Sequence, residues 1–138
     1  MDEWRRATTF WPPEQIPDQL RALISHAAHP PLSIYVGPGW FDLVAACHQR
    51  TVEAFPSYVI AAIKQKYGRL AFQAFPRPWL GPDTWTADEL GLLDELIEPL
   101  QERSEDVCER CGAPGQLRES RPVILTLCDR CDAEVLEP

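Results

Sequence analysis

Cysteines at 108, 111, 128 and 131 make two Cys-x-x-Cys pairs, "CERC" and "CDRC". Two residues between thiolates let one tight knuckle offer both sulfurs to a single ion, and two knuckles complete the tetrahedron that zinc prefers. Gly112 suits the turn of the first knuckle. The residues between the pairs can make a turn and a strand over 123–127, as in a small zinc ribbon. A redox dithiol, a disulfide pair and an iron–sulfur cluster are the competing uses of such cysteines, and the symmetric ribbon spacing favours one structural Zn2+ per chain. Four thiolates close the coordination sphere, so no position is left for a reacting water.

Other residue types capable of chemistry do not assemble in the sequence. Cys47 falls on the apolar stripe of a helix and reads as a small buried hydrophobe. His48 follows it directly, yet adjacent helical residues point about 100° apart, which spoils a nucleophile–base pair. His26 and His29 stand at a helix end, where a solvated imidazole complements exposed carbonyls. No phosphate-binding loop, HExxH or GxSxG is present. No catalytic residue and no enzymatic activity is expected.

The elements that must carry the cysteines follow from periodicity. Pro17 opens a helix over about 17–28, with Leu20, Leu23, Ile24 and Ala27 on one face. "PLSIYVG" reads as a short strand. A helix over about 40–55 aligns Trp40, Leu43, Val44, Cys47, Thr51 and Phe55. Residues 58–75 alternate around "KYGR" and predict a β-hairpin, although "VIAAIKQK" could also extend a helix. "PRPWLGPDTW" is a loop. Thr86 and Glu89 form a capping box for a helix over 87–106, with Leu90, Leu93, Ile97 and Leu100 toward the body and Pro99 expected to kink it or divide it in two. An aromatic arm of Trp4, Phe10 and Trp11 is expected to pack back on the body. The fold expected is α+β: a small helical and β-hairpin body, residues 1–106, followed by a four-cysteine zinc ribbon, residues 107–138.

Charge bears on partners. The net charge is −8, and residues 83–109 hold ten acids against one arginine. On the 87–106 helix, Asp88, Glu95, Glu98, Glu102 and Glu105 make an acidic edge opposite the apolar stripe. Such a surface repels phosphate backbones and suits a basic protein partner. The bases are concentrated elsewhere: Lys64, Lys66 and Arg69 on the hairpin, and Arg110, Arg118, Arg121 and Arg130 on the ribbon. They offer a nucleic-acid contact as the alternative. No apolar run approaches the roughly 18 residues of a membrane span, and the amino terminus has no apolar signal region. A cytoplasmic protein is expected.

Three stretches in order resemble a family of small proteins of bacteria and their phages: "GPGWFDLVAAC" (37–47), "IKQKYGRLAF" (63–72), and "SEDVCERCGAPGQLR" with "TLCDRC". Relatives in that family commonly carry Gly-Trp where this chain has "RPVIL", and some replace the last cysteine by histidine. The family brings no known reaction. What the resemblance implies is the ribbon-tailed fold and a role of phage or mobile-element type, for example toxin immunity or modulation of a host enzyme.

Overall fold

A computed structural model describes residues 16–135 of the chain. The aromatic arm lies outside these residues. The expected α+β fold is what the structure shows, with helices packed on a three-stranded sheet and the four cysteines gathered near the carboxyl end.

The first helix is 3-10 rather than α, Asp18–His26, and buries Leu20 and Leu23. Strand β1, Ile34–Tyr35, runs parallel to β2, Val59–Lys66, and β2 pairs antiparallel with β3, Arg69–Phe75. The hairpin reading therefore prevails over helix extension. Its two-residue turn explains why: Tyr67 and Gly68 have φ of 54° and 80°, the positive pair that matches the twist of the flanking strands. Between β1 and the hairpin, a short 3-10 turn over Pro38–Trp40 feeds helix α1, Phe41–Ala54. All six residues of the stripe anticipated there, Trp40 to Phe55, are buried.

Helix α2, Ala87–Arg103, begins at the capping box, where Thr86 Oγ1 accepts from the Glu89 amide and Glu89 accepts from the Thr86 amide. Pro99 does not divide it; the helix runs through, and only its expected last turn, Ser104–Asp106, tightens to 3-10. Leu93, Ile97 and Leu100 enter the core. The helix also finishes the edge of β3, since Ser104 Oγ accepts from the Leu70 amide and Gln101 Oε1 from the Phe72 amide. An edge that would otherwise present free donors is thereby capped from its own chain.

Gly91 sits mid-helix on the exposed side, and a Cβ there would meet nothing within 4 Å. Glycine costs a helix interior about 0.5–1 kcal/mol relative to alanine. Gly91→Ala is accordingly expected to stabilise the protein by about that amount, read as a rise in the denaturation midpoint at unchanged m-value.

A second cluster of buried side chains, Cys108, Leu125, Leu127 and Cys131, forms the core of the ribbon. Strands β4, Gln116–Arg118, and β5, Leu125–Leu127, pair antiparallel, and a six-residue helix α3, Asp129–Glu134, follows. The 123–127 strand is shorter than expected and α3 was not anticipated. The ribbon is seated on two stretches of the body. Trp40 Nε1 donates to the Val107 carbonyl at 2.8 Å, and the Gly39 amide donates to the Glu109 carbonyl at 2.8 Å. On the hairpin turn, Thr126 Oγ1 donates to the Gly68 carbonyl at 2.6 Å, and Leu117, Ile124 and Leu125 crowd the position a Gly68 side chain would take.

Candidate metal centre

The first knuckle is a tight turn in which the Gly112 amide donates to the Cys108 carbonyl at 2.9 Å, with Gly112 at φ +83°. The second is the amino-terminal end of α3, where Cys128 is the N-cap residue and its sulfur accepts from the Cys131 amide at 3.4 Å. Amide donation of this kind favours a thiolate. It holds the Cys128 thiol down at about 7, whereas burial pushes Cys131 up to about 12.

The four sulfurs all lie within 4.8 Å of one another, and Cys111 Sγ stands 3.7 Å from Cys128 Sγ. A tetrahedron of metal–sulfur bonds about 2.3 Å long has edges of about 3.8 Å, so the donor set fits an ion of that size. A disulfide needs about 2.05 Å between sulfurs, and all five cysteines are free. Two guanidinium groups, Arg110 and Arg130, approach Cys131 and offset the negative charge that four thiolates carry. Cys108, Cys111, Cys128 and Cys131 could therefore hold one metal ion, which would cross-link the two knuckles.

No family model, no curated protein and no solved structure matches this chain.

The acidic edge divides in two. Glu98 and Glu105 turn toward the hairpin, where both pair with Arg69. Asp88, Glu95 and Glu102 face solvent along α2. The expected acidic edge is thus interrupted, because a hairpin base, Arg69, lies within reach of acids two turns apart. Glu89, outside that edge, is clamped by Arg77, which is the first cause holding its carboxyl at about 2.

Of the bases proposed for nucleic acid, the two central ribbon arginines turn inward. Arg118 donates to the Leu127 carbonyl and to Asp129, and Arg121 to Asp132 and the Val135 carbonyl. Their side chains are only 17% and 7% exposed. They staple β4 and the following turn to α3, which takes them away from any phosphate backbone. Arg110 pairs with Glu134 as well as approaching the sulfurs. Lys64 and Lys66 stand exposed on β2.

Two groups read differently in three dimensions. Glu109, one of the ten acids of residues 83–109, is fully buried between the knuckle cysteines. Its Oε2 accepts from the Gly37 amide at 3.0 Å, while burial drives its pKa up to about 8. Nothing in local sequence marks it, because its partner is 72 residues away. Glutamine preserves both the length and the acceptor, so Glu109→Gln is expected to cost under about 1 kcal/mol. Glu109→Ala, which strands the Gly37 amide and opens a void, should cost about 2–4 kcal/mol; equilibrium unfolding of the two variants measures the difference.

His26 is not a solvated cap. Its ring stacks on Tyr58 at 4.3 Å between centroids, and Nδ1 lies 2.7 Å from the Tyr58 carbonyl, which can only accept, so Nδ1 carries the proton. His48 Nδ1 meets the Tyr58 hydroxyl at 2.6 Å. Burial, and then the neighbouring His26, lowers the His48 pKa. Cys47 lies buried beneath them with its thiol pushed up to about 12, as inert as its place on the stripe implies.

Proposed function

We propose that this is a non-enzymatic zinc-ribbon protein that engages a basic protein partner through the exposed side of α2. The observation that carries the reading is the division of charges. Asp88, Glu95 and Glu102 remain toward solvent, whereas Arg69, Arg118 and Arg121 are spent on carboxylates and carbonyls of the same chain. What is left at the surface of α2 attracts cations and repels nucleic acid.

Zinc is the ion the donor set supports best. Four thiolates at tetrahedral spacing suit it, and with no open position its contribution is to hold the ribbon together rather than to polarise a substrate. The likeness of three ordered blocks to the small phage and bacterial proteins supports a mobile-element role in the cytoplasm, as an immunity protein or a modulator of a host enzyme.

The experiment is capture by the intact protein with and without nuclease, beside an Asp88/Glu95/Glu102→Lys variant. A basic protein recovered in stoichiometric amount, indifferent to nuclease and lost with the variant, is the expected result. Salt-sensitive binding to DNA or RNA that disappears in Lys64/Lys66→Ala would instead make the hairpin a nucleic-acid contact and overturn the reading.

A further inference from the structure

The Pro-rich loop between β3 and α2 is built with unusual completeness for a connection. Arg77 spans it, donating to the Thr84 carbonyl at 2.7 Å and pairing through both guanidinium nitrogens with Glu89 on the first turn of α2. Trp85 stacks on Phe75 at 4.3 Å between centroids, and its indole donates to the Arg77 carbonyl at 2.8 Å. The Thr84 hydroxyl closes the tip, accepting from the Leu80 amide and donating to the Gly81 carbonyl. These bonds and the ring stack brace the loop from within its own chain.

The braced loop turns two large apolar side chains outward. Trp79 is 65% exposed and Leu80 84% exposed, although Trp85 six residues on is packed against the body. An isolated exposed apolar residue needs no explanation, but an adjacent Trp-Leu pair held out by a clamped backbone does. Tryptophan is the residue most enriched at the centres of protein interfaces, and a preformed loop loses little freedom when it docks.

The surrounding charge selects the occupant. Residues 76–98 hold six acids and one base, Arg77, which Glu89 already occupies. Asp83 and Asp88 follow the Trp-Leu pair in sequence and are exposed. A second copy of the chain would bring the same acids against these, and anionic lipid or nucleic acid would be repelled in the same way. An apolar surface ringed by Lys and Arg is attracted.

We propose that Trp79 and Leu80 are the apolar anchor by which the protein seats on an amphipathic basic segment of its partner, with the acids of α2 supplying the electrostatic attraction around it. The proposal rests on the basic-partner reading above and adds the residues that give it grip.

Two synthetic peptides of about 18 residues and equal lysine content test it, one a Lys/Leu amphipathic helix and the other with serine at every leucine. Titration of the intact protein, followed through the Trp79 indole N–H resonance and by calorimetry, should show the Lys/Leu peptide bound at least about tenfold more tightly. In Trp79→Ala/Leu80→Ala that advantage should vanish while weak, salt-sensitive binding of both peptides persists, with the Trp85 indole resonance unmoved as the sign of an intact loop. Equal binding of the two peptides by the native protein overturns the anchor and leaves the acidic reading standing. Binding of neither overturns both. A concentration-dependent dimer abolished by the double variant would assign the anchor to a second copy and overturn the proposal.

Discussion

Stripping the metal from the four-cysteine centre is expected to unfold residues 108–131 and to release the amides of Gly37 and Gly39 into solvent exchange. Structural zinc contributes an apparent 10–16 kcal/mol in small zinc domains at neutral pH, about as much as the entire stability of an ordinary domain. The ribbon has little else. Its buried apolar set is Cys108, Leu125, Leu127 and Cys131, two leucines and two of the four clustered cysteines, and its paired strands are three residues each. Without the ion the knuckles lose the cross-link, and Glu109 loses the turn that presents it to Gly37. Hydrogen exchange read residue by residue, before and after a strong chelator, measures the effect, and metal analysis should give one zinc per chain. Exchange rates at Gly37 and Gly39 that ignore the chelator would separate the ribbon from the loop it sits on.

The second large effect comes from a single methyl group. A Cβ on Gly39 would stand 2.1 Å from the Cys108 carbonyl oxygen, 2.5 Å from the Gly112 nitrogen and 2.7 Å from the Glu109 carbonyl oxygen. All three are backbone atoms of the first knuckle, so no side chain can swing aside. The Gly39 amide meanwhile donates to the Glu109 carbonyl, pinning the two segments at that separation. Gly39→Ala must therefore prise the knuckle from the body and lose the Gly37, Gly39 and Trp40 hydrogen bonds together. A cost of about 4 kcal/mol or more is expected, the range reserved for substitutions with a named steric or buried-polar cause. For a chain of this size that lowers the melting temperature on the order of 15 °C. Gly91→Ala, the same chemical change on an open helix face, should move it the other way. Loss of less than about 3 °C in Gly39→Ala would mean the knuckle does not rest on this glycine.

That contrast also marks how far the sequence could be read. The helical stripe from Trp40 to Phe55 and the capped helix from Thr86 were legible because their signals repeat every three or four residues and are local. The four ligands were legible because chelation needs a fixed spacing within each knuckle. The seat of the ribbon was not. Gly39 meets Glu109, and Gly68 meets Thr126, across tens of residues with no period to betray them, and glycine required by a close approach looks the same in sequence as glycine in any turn. The inward turn of Arg118 and Arg121 is hidden for a related reason: composition reports that a base is present, never which carboxylate it faces. The role of His26 is hidden for the same reason, because its partner, the Tyr58 carbonyl, lies 32 residues away, just ahead of β2.

The contact between Gly37 and Glu109 bridges 72 residues, and that span has a meaning in time. At a synthesis rate of about 5–20 residues per second, roughly 4–14 s pass between the appearance of the first partner and that of the second. During this interval the "GPGW" segment has its indole and two amides without their acceptors, while the hairpin turn waits for Thr126. The first knuckle is therefore the element that completes the surface laid down by residues 37–40. An ion taken up by the four cysteines would then close last, since its second pair of donors, Cys128 and Cys131, follows the first by 17 residues or more.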